Sequence, residues 1–295
     1  MAYLPKLKPA VGNQLGGMPE RREAATVSSI SSAFNWINPV SYSGNNKSVT
    51  TEDAFPYAVN LSSDETKMYV LGRTGNNVYQ YSLPDINDIS TASYDSKSIS
   101  VITPATAPSG MVFSTDGGTM FISDLGTDFI YQYTLSTPWD ISSASYASKS
   151  KDVSTEDLSP NGITVSSDGL TLFMAGNNSS FIYQYTLSTP WDISTASYAS
   201  KSKDVSGEAS SPTGVATSPD GRKMYVTSAS AGGTAQYTLS TPFDVSTASY
   251  DNFKAGITTE DASMSGVAFA SNGEVMYGIG GTNDRVYQYN IVNYT

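Results

Sequence analysis

Carboxylates and aromatic rings are the side chains whose spacing could do chemistry in this chain, because it contains no His and no Cys. Without them no zinc centre, disulfide frame, Ser-His-Asp triad or Cys-His dyad can be assembled within it. No Gly-rich phosphate-binding loop is present either. Glu52, Glu156, Glu208 and Glu260 fall on a grid of 52 residues, with Pro104 at the vacant position. Asp53, Asp157 and Asp261 directly follow three of them. Hard oxygen ligands repeated in this way suit Ca²⁺ or a cationic partner. The simpler reading makes them solvated loop acids or caps for a following strand, and spacing alone favours it. No cofactor or metal is therefore expected, and Glu52, Asp53, Glu156, Asp157, Glu260 and Asp261 are the residues a metal would use. Trp139, Trp191 and Phe243 share the same period, each just after a Pro, and Asn87 breaks their series. Repeated exposed aromatics can stack on sugar rings and bind through avidity. More commonly such rings seal a structural unit from beneath.

The elements that must carry these residues follow from an internal repeat. The Gln of a Tyr-Gln-Tyr motif recurs at Gln80, Gln132, Gln184, Gln236 and Gln288, always 52 residues apart, Ala235 replacing the first Tyr in one copy. Tyr42, Tyr94, Tyr146, Tyr198 and Tyr250 keep the same interval, as do Asp64, Asp116, Asp168, Asp220 and Asn272. Residues 130–154 and 182–206 differ only at Ser143/Thr195, the mark of recent duplication. Each unit reads as four short strands. In the third copy these are Ile163–Ser166, Leu172–Ala175, Phe181–Ser188 and Lys203–Ser206, with an Asp168-Gly169 hairpin turn. Thr189-Pro190-Trp191-Asp192 is a helix-start signal and predicts one helical turn capped by Thr189. Five such units predict an all-β, five-bladed β-propeller over residues 36–295, preceded by an extended arm, residues 1–35. The last unit ends after its third strand, so the segment around residues 47–51 must pair with the strand around 286–292 and close the ring. In that arrangement the acids lie on one face, joined by Asp124, Asp128 and Asp284 from the variable second-to-third-strand loops. The aromatics lie on the opposite face.

The string Ser218-Pro219-Asp220-Gly221 running to Met224-Tyr225-Val226, followed by a Tyr-Gln-Tyr strand, resembles the YVTN-type propeller repeats of bacterial surface proteins. The longer Tyr131–Ser142 string is similar to repeats of marine bacteriophage virion proteins and their bacterial relatives. The resemblance covers residues 36–295, implies the propeller fold and brings no shared catalytic residues. It also implies, as the first expectation, a non-enzymatic virion structural protein whose propeller is displayed on the particle and contacts host-surface glycans. A secreted or surface-located carbohydrate-binding propeller is the alternative, and a glycosidase using paired carboxylates ranks third. Trp139, Trp191, Phe243, Asp124, Asp128 and Asp284 are the candidate ligand contacts.

Charge and hydropathy bound the partners. The net charge of −11 excludes a nucleic-acid phosphate backbone as the partner of the whole chain. No run approaches the roughly 20 apolar residues of a membrane span, so no membrane insertion is expected. Residues 1–29 lack the apolar core of a secretory signal, so export, if it occurs, is expected by another route. The arm carries Lys6, Lys8, Arg21 and Arg22 against Glu20 and Glu23, while the remaining 12 basic and 25 acidic residues give the propeller −13. It is expected to dock on other virion structural proteins, with Tyr3, Leu4 and Leu7 as apolar anchors and Lys6, Lys8, Arg21 and Arg22 meeting acidic surface.

Overall fold

The computed structural model describes residues 40–230, 232–257 and 259–291. Strand β1 (Val40–Ser48) comes first. Blade 1 is β2 (Pro56–Leu61), β3 (Lys67–Gly72), β4 (Asn77–Ser82) and β5 (Ser93–Ser100). Blade 2 is β6 (Pro108–Phe113), β7 (Thr119–Asp124), β8 (Phe129–Leu135) and β9 (Ala144–Asp152). Blade 3 is β10 (Pro160–Val165), β11 (Thr171–Gly176), β12 (Phe181–Leu187) and β13 (Ala196–Asp204). Blade 4 is β14 (Pro212–Thr217), β15 (Lys223–Ser228), β16 (Gly233–Leu239) and β17 (Ala248–Ala255). Blade 5 contains β18 (Met264–Phe269), β19 (Val275–Gly280) and β20 (Arg285–Ile291), and β1 completes it. Lys47 pairs with Val286 and Ser48 with Arg285, so the closing strand falls where the repeat places it. The innermost strands β2, β6, β10, β14 and β18 touch in turn around a central axis, β18 returning to β2. This is the five-bladed propeller that the period predicts.

Local chemistry explains why each unit repeats the same shape. Ser62, Ser114, Ser166 and Ser218 each donate to the Asp two residues on and accept the amide N–H of the residue five on, which pins the first hairpin. The Gln series joins neighbouring blades. Gln80, Gln132, Gln184 and Gln288 accept from the amides of Ile141, Ile193, Val245 and Ile89 at 2.8–2.9 Å. Those amides begin the 3₁₀ turns Ile141–Ser143, Ile193–Thr195, Val245–Thr247 and Ile89–Thr91. The helical turn thus starts later than the sequence signal suggests, and its N-cap is Asp192 rather than Thr189. The reason is Trp191, whose φ of 57° is incompatible with a helix. Lys97, Lys149 and Lys201 reach the capping Asp140, Asp192 and Asp244 of the next blade at 2.6–2.7 Å.

The outermost strands form the rim and would expose pairing edges. Each carries a wide bulge instead. Gln184 pairs with Lys201 but Tyr185 with Tyr198, leaving Ala199 and Ser200 extra, with Ser200 at φ 57°. Such bulges and rim lysines blunt edge-to-edge association.

Candidate functional site

The acids of the loop face are built into the scaffold. Tyr81, Tyr185, Tyr237 and Tyr289 donate their phenol hydrogens to Glu52, Glu156, Glu208 and Glu260 at 2.8–3.2 Å. Asp53 accepts from the amides of Phe55, Thr74 and Gly75, stitching the inter-blade loop to the second-to-third-strand loop. Asp157 and Asp261 repeat this with Ser159, Asn178, Ser179 and with Ser263, Thr282, Asn283. Gly72, Gly176 and Gly280 make room for these carboxylates, since a Cβ at each would lie 2.2–2.5 Å from the Asp side chain. Blade 2 inverts the pair. Ala105 stands where blades 1, 3 and 5 have Asp, and Asp124 where they have Gly, so the carboxylate arrives from the other strand; blade 4 has Ala209 and Ser228 and no carboxylate at either place. It accepts from the Ala107 amide and the Thr127 hydroxyl. Asp124 is fully buried and meets no solvent-borne ligand. Asp128 and Asp284 are half-buried on this face, and burial with neighbouring carboxylates holds both above the usual Asp range. Among the described residues no three His, Cys, Asp or Glu converge on a point where they could hold a metal ion.

The aromatics of the hairpin face lie against backbone. Trp139, Trp191 and Phe243 each adopt positive φ, at 62°, 57° and 56°. Their rings cover Gly117, Gly169 and Gly221, where a Cβ would lie 2.3–2.4 Å from a ring atom. Trp139 also packs on Tyr69 and Phe113 of blades 1 and 2, and Tyr69 donates to its carbonyl at 2.6 Å. These half-buried rings seal the hairpin side. Tyr3, Leu4, Lys6, Leu7, Lys8, Arg21 and Arg22 of the arm lie outside the described residues.

A cavity of about 260 Å³ runs along the axis. Its floor is a waist of small residues, Ala58, Gly110, Gly162, Gly214 and Gly266, packed backbone to backbone. A Cβ on Gly162 would stand 2.6 Å from the Gly214 Cα. The walls are innermost strands, which have a sheet partner on one side only and so turn unpaired backbone groups toward the cavity. Asn60, Thr164 and Thr217 line it and make no side-chain hydrogen bond to the described residues.

Glu65 is the one ionisable side chain of the lining. It occupies the hairpin position held by Gly117, Gly169, Gly221 and Gly273 in the other units, all at φ of 68–75°. Glu65 adopts that conformation too, at φ 60°, although it costs any residue with a Cβ. Its partner position has changed with it. Where Trp139, Trp191 and Phe243 cover their glycines, blade 1 has Asn87, which leaves space for the carboxylate. Glu65 accepts from the backbone amide of Ser271 across the blade 1–blade 5 boundary. The sequence reading missed it. The signal was present as Asp64-Glu65 among three Asp-Gly turns and one Asn-Gly turn.

The fold places the chain first among β-propellers, and solved structures then give particular likenesses. No family model and no curated protein sequence matches the chain. A protein of unknown function from Desulfotomaculum acetoxidans aligns with a TM-score of 0.52 at 14% identity, over 81% of this chain and 71% of its own. The periplasmic gluconolactonase of Pseudomonas aeruginosa aligns at 0.46 and 14%, over 80% and 66%. A Bacteroides uniformis protein described as a candidate 6-phosphogluconolactonase gives 0.48 and 13%, over 79% and 65%. The chain spans about two thirds of the length of these structures. Two of the three carry enzyme names from sugar chemistry. Against the expectation of a non-enzymatic virion structural protein, both of these names are those of lactonases, and no comparison carries the link to phage or YVTN repeats. At this identity the likeness establishes fold alone, so chemistry must be argued from the cavity.

Proposed function

We propose that this chain hydrolyses a small, neutral sugar-derived ester, a lactone, in the axial cavity, with Glu65 as general base. The observation that carries this reading is the exchange of Gly for Glu at residue 65 in a left-handed conformation. Strain kept in one copy of a repeat, beside a cavity, points to function rather than stability. The cavity volume suits one sugar ring rather than an oligosaccharide. Its lining offers hydroxyl and amide groups for a polyol and no cation for a phosphate. A single carboxylate does not make a glycosidase, which needs two flanking the scissile bond. Ester hydrolysis needs one. Glu65 takes a proton from water, and the resulting hydroxide attacks the lactone carbonyl carbon. Unpaired edge-strand N–H groups are placed to hold the oxyanion. The intermediate collapses with cleavage of the acyl–oxygen bond, and the protonated Glu65 returns its proton to the departing alkoxide.

The test is hydrolysis of unphosphorylated aldonolactones, followed by acid release at constant pH. Turnover by the native chain that falls at least 100-fold in Glu65→Gln supports the reading. Turnover unchanged in Glu65→Gln, or rates equal to buffer for the native chain, would overturn it.

A further inference from the structure

The loop face carries a second set of residues that break the period, and these are apolar. Phe55, Ile102 and Leu158 are 41%, 55% and 63% exposed. They sit in the loops that lead into β2, β6 and β10, the entries to three consecutive blades. Where Leu158 stands, the other units have Ala54, Thr106, Ser210 and Ala262. Phe55 corresponds to Ala107, Ser159, Ser211 and Ser263, and Ile102 to Thr50, Ser154, Ser206 and Thr258. An isolated exposed apolar side chain needs no explanation. Three in one arc, each in place of Ser, Thr or Ala, mark a surface made to be covered. Leu158 is the sharpest case, because it follows closely on the string 130–154 that the next blade duplicates as 182–206.

Charge says what covers it. On the same face Asp152 and Asp204 are exposed, and Asp128, Glu156, Glu208 and Glu260 are half-buried. The five ion pairs of the described residues use Asp95, Asp140, Asp192, Asp244 and Asp251, all at the hairpin end, and none of these loop carboxylates. A partner that carries cations beside apolar side chains fits such a surface. The chain itself supplies one. Residues 1–39 precede β1 and lie outside the described residues. Their sequence sets Tyr3, Leu4 and Leu7 beside Lys6 and Lys8, and adds Arg21 and Arg22 against Glu20 and Glu23 alone. The place where this segment joins the fold decides whose surface it meets. Val40 pairs with Ile291 and Ser48 with Arg285, so β1 begins at the hairpin face and runs toward the loop face. The segment therefore joins each copy on the side opposite the apolar arc.

We infer that residues 1–39 of one copy dock on the loop face of another, joining propellers head to tail. Tyr3, Leu4 and Leu7 cover the arc of Phe55, Ile102 and Leu158, while Lys6 and Lys8 meet the loop carboxylates. The contact is heterologous: each copy offers one segment and one face, so association does not stop at a pair. The inference does not rest on the reading of Glu65, which lies at the hairpin end.

The experiment is sedimentation velocity of the full-length chain over a concentration series, alone and as mixed variants. The native chain is expected to grow beyond dimers as concentration rises, and at least tenfold less readily when salt screens the charges. Leu158→Asp spoils the face, and Lys6→Glu with Lys8→Glu reverses the charge of the segment, so each variant alone should stay monomeric. Mixed, they hold one intact segment and one intact face between them, and should form one-to-one pairs and nothing larger. Glu65→Gln should associate as the native chain does. A native chain that stays monomeric, which is what docking on its own loop face would give, would overturn the inference. So would association that survives in the Lys6→Glu, Lys8→Glu chain, the result of two arcs packing face to face, or a mixture that forms no pairs. A synthetic peptide of residues 1–30, added in excess to the native chain, should return it to monomers. Its failure to do so would overturn the inference even if a variant does not fold.

Discussion

Blade 3 and blade 1 are made with the same joints and differ at the two ends of the axis. Tyr185 bonds Glu156 at 2.8 Å in one, and Tyr81 bonds Glu52 at 3.0 Å in the other. Asp157 and Asp53 gather the same three amides. At the hairpin end, blade 3 has Gly169 under Trp191, whereas blade 1 has Glu65 and Asn87. At the loop end, blade 3 has Ser159, Asn161 and Asn177, whereas blade 1 has Phe55, Tyr57 and Arg73. A residue repeated in every copy answers a problem posed in every copy, which is holding a blade together. A residue that breaks the period answers a problem posed once. In a duplicated scaffold, therefore, chemistry belongs to the exceptions.

The comparison can be broken first at the one blade made from two ends of the chain. Deleting residues 40–48 strips β1 from β20 and leaves blade 5 with a bare edge. The expected result is loss of cooperative folding with aggregation, read by size-exclusion chromatography and thermal melting. A soluble, monomeric, cooperatively melting product would contradict the closure. Next in size is the shared waist. Gly162→Ala forces a Cβ to within 2.8 Å of the Thr213 carbonyl oxygen, and overpacking of this kind costs about 1–3 kcal/mol. Gly207→Ala meets nothing within 4 Å and serves as the control. Urea denaturation of the two variants should separate them clearly.

Smaller effects sharpen the claim that the loop acids are structural. Tyr185→Phe removes a hydrogen bond to a carboxylate and should cost about 1 kcal/mol. Tyr133→Phe should cost less, because Pro104 has replaced the acid in that blade and Tyr133 reaches only the Val101 carbonyl, at 3.3 Å. The smallest effect is electrostatic. Hydrogen bonds from Lys97 and Lys149 hold the Asp140 and Asp192 carboxyls below the usual carboxylate range. A depressed folded pKa contributes stability above the unfolded value, about 3.9, and loses it as pH falls through the lower folded value. Lys149→Met should therefore cost about 0.2–1 kcal/mol at neutral pH. It should also lessen the stability lost on acidification below about pH 4. Denaturation midpoints measured at pH 7 and at pH 3 check both.

The scaffold was legible because it is periodic. Five Tyr-Gln-Tyr motifs at one spacing specify five blades, and the unit truncated after Val286–Val292 demands the closing strand. The aromatic and acidic series were legible as series, but contact partners decide their role. Spacing does not reveal that Trp191 lies on Gly169 or that Asp124 substitutes for a carboxylate one strand away. The 3₁₀ turn was misplaced because a helix-start pattern cannot show that the Trp within it takes positive φ. Glu65 escaped because a search for repeats rewards what recurs, and its meaning needs the Gly117–Trp139 contact against which it is an exception.

The most direct test of the central claim is Glu65→Gly, which restores the residue that the other four units use. Relief of the left-handed strain should stabilise the fold by about 1 kcal/mol, a rise of about 2–4 °C in Tm for a domain of this size. Lactone turnover should fall to background in the same preparation. A variant that melts lower than the native chain and still turns over lactone would show Glu65 to be a blade 1–blade 5 clasp, and the account would fail.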